Sequence, residues 1–142
     1  MPKKRTIWLA IAALAATTFA AAENPPAPAV REGLTGVWNL EKIIYASGSV
    51  DTKGGFIFLD GHYSTTVSYS RQGTQTNISQ FGTYSQEGNR LVLVPAVHVS
   101  TRAQTVIYEP EPPFTLEITF TGEEMRGTAI KDGTTFVFRR VR

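Results

Sequence analysis

The sequence predicts an all-β protein: an antiparallel up-and-down barrel of about eight to ten strands. Three observations predict it. Short runs rich in Val, Ile, Thr, Phe and Tyr recur from residue 36 to residue 141, punctuated by Gly, Asp-Gly and Pro. Past Gly36 no apolar spacing of helical period is sustained, so no amphipathic helix stands ready to cover a sheet. The pairs Asp60-Gly61 and Asp132-Gly133 join consecutive runs as tight turns, which favours sequential hairpins over long crossovers.

The chain opens with an address. Lys3, Lys4 and Arg5 precede an uncharged, Ala-rich stretch over residues 7–22, which closes on Ala20-Ala21-Ala22 before Glu23. A basic start, a short apolar stretch and a small-residue exit mark a secretory signal peptide, here residues 1–22 with a cut after Ala22. A membrane span takes roughly 20 apolar residues, and this run is shorter. The mature protein is therefore expected without a membrane span, in the periplasm or secreted. Residues 23–32 are Pro-rich at their centre and read as an extended spacer, leaving 33–142 as the barrel domain.

Removing residues 1–22 lowers Lys plus Arg from 14 to 11 against an unchanged 12 Asp plus Glu, so the formal charge moves from +2 to −1. That excludes a nucleic-acid binder, which needs a basic surface on the mature domain. The chain has no Cys and 2 His, which excludes disulfide scaffolds, thiolate chemistry and metal sites built on several imidazoles. No cofactor is expected.

The strand runs fall at residues 36–46, 54–60, 62–70, 75–86, 90–100, 103–109, 114–121, 125–131 and 134–141. Hairpin register sorts their side chains. A turn at Gly122-Glu123 sets Phe120 opposite Met125, Ile118 opposite Gly127 and Leu116 opposite Ala129. A two-residue turn at Asp132-Gly133 then sets Ala129 opposite Phe136, Gly127 opposite Phe138 and Met125 opposite Arg140. One side of these strands collects Leu116, Ile118, Met125, Phe136 and Phe138; the other collects Glu117, Thr119, Arg126, Thr128 and Arg139. The Asp60-Gly61 turn repeats the pattern, with Phe58 facing Tyr63 on the inside and Ser64, Thr66, Ser68 and Ser70 outside. A slip of one residue would destroy the separation. An apolar face with no helix to cover it must close on itself or pair with a second sheet.

The segment Gly36-Val37-Trp38-Asn39-Leu40 resembles the Gly-x-Trp opening of lipocalins and other calycins, and the late Arg139-Arg140 fits the same pattern. The segments Leu59-Asp60-Gly61-His62-Tyr63 and Phe81-Gly82-Thr83-Tyr84 are similar to the bacterial lipocalin-like domain family. The resemblance spans residues 33–142 and implies a calycin-type barrel whose last-strand cation packs over the Trp at the closed end. Parity favours Arg140 for that role, with Gly36 and Trp38 as its structural partners. The chain lacks the disulfide and the C-terminal helix of a full lipocalin, which implies a narrow interior.

The inward aromatics Phe56, Phe58, Tyr63, Tyr69, Phe136 and Phe138 have two readings. They line a pocket for a small hydrophobic ligand, with the tyrosines as polar handles, or they fill a packed core. Lys42 shares parity with Trp38, Leu40 and Ile44, so it is expected to face inward near the open end and meet an acidic headgroup; a strand-end Lys reaching solvent is the plain alternative. His62 sits outside. His98 turns inward if Pro95 bulges its strand. Neither His has an acidic neighbour in sequence, Gly54-Gly55 is followed by no helix that would cradle phosphate, and the acidic residues are scattered. No catalytic residue is assigned.

The expected function is therefore an exported lipocalin-like barrel that binds a small hydrophobic molecule non-covalently. Residues 47–53, 71–76 and 109–113 would gate its mouth. The alternative is a periplasmic protein-interaction module resembling the small barrel inhibitors of secreted proteases, with residues 23–31 as the arm that enters a partner's cleft. An isomerase or cyclase on the same scaffold ranks third.

Overall fold

The computed structural model describes residues 33–142, so the expected signal peptide and spacer lie outside the described residues. Nine strands follow in order: β1 (Gly36–Tyr45), β2 (Gly48–Leu59), β3 (His62–Arg71), β4 (Thr74–Glu87), β5 (Arg90–Arg102), β6 (Thr105–Tyr108), β7 (Phe114–Thr121), β8 (Glu124–Ala129) and β9 (Thr135–Arg140). They pair antiparallel in the order β4-β3-β2-β1-β9-β8-β7-β5-β6, and β4 also pairs with β5. That last pairing closes eight strands into an up-and-down barrel. β6 is the extra strand: β5 pairs with β7 over Arg90–Leu93 and with β6 over Val99–Arg102. Residues 109–113 span the step between those two partners.

The predicted hairpins form for the predicted reason. Asp60 and Gly61 both take positive φ, 48° and 75°, as a tight two-residue turn requires. Phe58 therefore faces Tyr63 and Phe56 faces Thr65. Leu116, Ile118 and Phe120 meet Ala129, Gly127 and Met125 as expected. The inner face is buried at Trp38, Leu40, Phe58, Tyr63, Leu116 and Phe138. The hydroxyl row of β3 stays outside.

The last hairpin differs. Gly127 faces Phe136 and Met125 faces Phe138, a shift of two residues from the expected register. The cause is a wider turn. Asp132 Oδ1 accepts a 2.9 Å hydrogen bond from the Thr134 backbone N–H instead of simply leading a two-residue turn, and Ala129 N–H donates to Thr134 O at 2.8 Å. A shift of two preserves parity, so Phe136 and Phe138 still point inward. Arg140 loses Met125 as its neighbour; its backbone N–H instead donates to Glu123 O at 2.8 Å.

A second difference lies in β1. Glu41 is an extra residue between the pairs Leu40–Phe138 and Lys42–Val137. This bulge moves the inward series from Trp38 and Leu40 onto Ile43, 4% exposed. The Leu40 carbonyl freed at the bulge accepts from the Thr52 hydroxyl. Lys42 is turned to the outer face, where its Nζ stands 3.7 Å from Asp51. Two of the expected mouth loops are also mostly strand: β2 starts at Gly48, and residues 71–76 hold a tight turn at Gln72-Gly73 between β3 and β4.

The closed end is a clasp around one indole. Trp38 is fully buried, and its Nε1 donates to Leu34 O at 2.8 Å. The Arg140 guanidinium lies 4.4 Å from the ring centroid, donates to Thr35 O at 3.1 Å, and bonds Gly33 O as well. Gly36 holds φ at +132°, which a side chain would strain, and so lets the chain turn beneath the guanidinium. Phe120 tilts against the indole at 5.9 Å. Arg140→Met should remove both carbonyl bonds and the cation–π contact, and we expect about 2–3 kcal/mol of lost stability in urea melts. Arg140→Lys, which keeps the charge and loses the fork, should recover less than half of that.

Candidate functional site

Large side chains pack the closed end of the barrel. Above Phe58 and Phe138 a cavity of about 520 Å³ opens toward the mouth. Phe56, Tyr69, Phe136 and Phe138 line it. Phe58 does not line it. It is 1% exposed and packs edge-on against Tyr84, with centroids 5.2 Å apart, as part of the floor. Tyr63 is also beneath the lining, 2% exposed, between Phe56 and Phe58. Lys42 is on the opposite side of the sheet. Trp38, Arg140 and Gly36 belong to the closed end.

The polar wall of the cavity was not legible as a unit. Tyr63 Oη donates to Gln80 Oε1 at 2.9 Å, and Gln80 Nε2 stands 3.0 Å from His98 Nδ1. His98 Nε2 is 3.8 Å from Glu111 Oε2. Four residues from β3, β4, β5 and the loop after β6 thus form one line. Gln80, His98 and Glu111 line the cavity; Tyr63 supports them from below.

The line has a direction. Burial, with the Glu111 charge adding to it, pushes the Tyr63 hydroxyl well above its ordinary range, so the phenol keeps its proton and donates. Gln80 then turns its carbonyl to Tyr63 and its NH₂ to His98. Reversing the amide would set N–H against the phenol and strand the phenolic proton in a buried site. His98 Nδ1 is therefore an acceptor, and the neutral ring carries its hydrogen on Nε2, toward Glu111 and the cavity.

Local sequence explains how His98 arrives there. Ala96 is an extra residue between the pairs Gly82–Pro95 and Phe81–Val97, which turns His98 in to face Gln80. This is the condition that Pro95 suggested. Gly82 is required at the bulge, because a Cβ there would run into the Val94 carbonyl. Gln80 itself follows from alternation with Tyr84, both inward on β4. Glu111 carries no such signal; it lies in a Pro-rich loop without strand parity.

The rim adds a second polar group. Tyr45 and Tyr69 line the mouth, with the Arg71 guanidinium 4.0 Å from the Tyr45 ring centroid. Burial, then the neighbouring Tyr69, push the Tyr45 hydroxyl up to about 12, against the opposing pull of Arg71. Lys131 and Asp132 face the same opening from the widened β8–β9 turn. Among the described residues no group of three or more His, Cys, Asp or Glu side chains stands ready to hold a metal ion.

Neither the protein-family models nor the curated proteins compared with this chain match it. The closed eight-stranded barrel is compatible with a lipocalin-like calycin fold.

Tyr63 and Tyr45 hold their protons to higher pH when folded than at the ordinary value of 10.0. The folded chain then binds more protons than the unfolded chain, so stability is whole below pH 10 and falls as pH rises toward about 12. Thermal melts across that window should show the decline. Tyr63→Phe should lower the neutral-pH melting temperature, since Gln80 Oε1 loses its donor, yet make the alkaline decline shallower. An unchanged alkaline slope would show that Tyr63 does not contribute to it.

Proposed function

We propose that this chain is an exported barrel that takes up one small, chiefly apolar molecule without forming a covalent bond. The observation that supports this reading is the cavity of about 520 Å³, open at the mouth and walled mainly by aliphatic and aromatic side chains with polar groups on one side. Ligand sites run from roughly 300 to 1,000 Å³ with that mixture of walls. A naphthyl-sized guest that hides on the order of 250 Å² would gain ~6 kcal/mol from burial, before the costs of ordering. Residues 109–113 and 130–134 border the mouth and would admit it.

The reading is of a binder, not an enzyme, and it calls for no cofactor. The His98–Glu111 distance of 3.8 Å is longer than a hydrogen bond, so this pair is not pre-assembled for acid–base work. The export half of the proposal rests on Lys3, Lys4, Arg5 and the Ala-rich run that ends at Ala22. Intact mass of the protein recovered from a periplasmic or culture fraction should correspond to a chain beginning at Glu23. A mass that retains Met1 would overturn the cleaved-signal reading.

Uptake of N-phenylnaphthylamine, an uncharged probe that brightens out of water, tests the binding half. We expect saturable uptake at one site per chain. Ala129→Phe projects a ring into the cavity and should weaken uptake by about tenfold or more with the barrel still folded by circular dichroism. Uptake that is absent, or that ignores this substitution, would remove the cavity as the binding site.

A further inference from the structure

The geometry points to a guest that is uncharged and presents one acceptor oxygen, a carbonyl or a hydroxyl, to His98 Nε2. This rests on the cavity-binding reading and names the chemistry of its ligand. The first support is a count of hydrogen-bond donors. Gln80 is 7% exposed, and one hydrogen of its Nε2 is committed to His98 Nδ1. The amide has a second hydrogen, and no second bond from Nε2 is made among the described residues. The His98 Nε2 hydrogen is aimed at the cavity side, where the Glu111 carboxylate at 3.8 Å is beyond hydrogen-bond reach. An oxygen bonded at His98 Nε2 is out of the reach of Gln80, because the two ring nitrogens of His98 point apart. The orientation of the His98 donor is set in advance by Gln80 and the buried Tyr63 behind it, so a guest would not have to order it.

Charge decides against an acid. The one cation expected to meet a carboxylate, Lys42, stands outside the barrel on Asp51. At the mouth Lys131 is offset by the adjacent Asp132 and Arg71 lies over Tyr45 at the rim, so Glu111 is the charge that stands beside the His98 donor. A carboxylate guest bonding to His98 Nε2 would have to lie against that charge. An ammonium guest would gain Glu111 but would meet the His98 N–H pointing at its own N–H groups. A neutral oxygen meets neither conflict.

Four naphthalenes of nearly equal size separate these cases: acetylnaphthalene, ethylnaphthalene, naphthoate and naphthylmethylammonium. Each is titrated against bound N-phenylnaphthylamine on the full mature chain. Acetylnaphthalene should displace the probe at roughly fivefold lower concentration than ethylnaphthalene, the size of one net hydrogen bond. Both charged analogues should be weaker than acetylnaphthalene. His98→Phe should shrink the ketone preference, and Glu111→Gln, a change in an exposed loop, should narrow the gap between naphthoate and acetylnaphthalene. Equal affinity of acetylnaphthalene and ethylnaphthalene overturns the inference while leaving cavity binding intact, and so does a charged analogue that binds most tightly. Failure of the probe and of all four naphthalenes to bind overturns the cavity reading itself.

Discussion

A sheet with one oily face, and no helix among the described residues to lay on it, must pair with a second sheet or curl until it covers itself, and this one curls. Everything else in this barrel follows from that closure. The β4–β5 pairing is the seam that completes it, and its register is interrupted by a bulge at Ala96. The bulge lets β5 bend enough to leave β7 for β6 partway along its length. It also reverses which side chains face inward, and so brings an imidazole onto the inner wall. Closing the cylinder and furnishing its polar wall are thus the work of the same irregularity.

The floor clasp closes one end of the barrel, and the other end stays open. Trp38, Phe58, Met125 and Phe138 fill the closed end to the point of near-zero exposure. Around the cavity the smaller Ile43, Thr65, Val67 and Ala129 share the wall with Phe56, Tyr69 and Phe136. The Trp38–Arg140 clasp makes this possible. It joins the first strand to the last through carbonyls of the entering chain, so closure is fastened at the bottom. The top can then stay unfilled without the strands parting.

Parity was the most legible property of the sequence because it is local and tolerant. The β8–β9 register expected from Asp132-Gly133 was off by two residues, yet Phe136 and Phe138 kept their side of the sheet. A bulge is less forgiving. The extra residue at Glu41 carries no mark in the sequence, since neither Gly nor Pro stands there, and it sent Lys42 outward. Pro95 did mark the other bulge, and His98 could be placed conditionally from it. The line from Tyr63 to Glu111 lay beyond reach for a different reason. Its members are joined by cross-strand neighbours and by a loop with no periodicity, and neither relation is printed along a single chain.

A hole of this size inside a small domain raises the question of why it does not collapse. Apolar side chains gain by meeting one another, and a void between them forfeits dispersion contacts. In a helical bundle the elements would slide together. An eight-stranded cylinder lacks that freedom, because its radius is fixed by strand number and stagger, and shrinking it means breaking ladder hydrogen bonds all the way around. Side chains can then only fill the space or leave it. The side chains at cavity height leave it unfilled, and one polar member, Gln80, is held back against the wall by Tyr63 on one side and His98 on the other. Freed from that tether it would swing inward toward water. The buried hydrogen-bond line therefore acts on the cavity in two ways: it keeps the wall flat, and it leaves its unused hydrogens facing the space it has kept open.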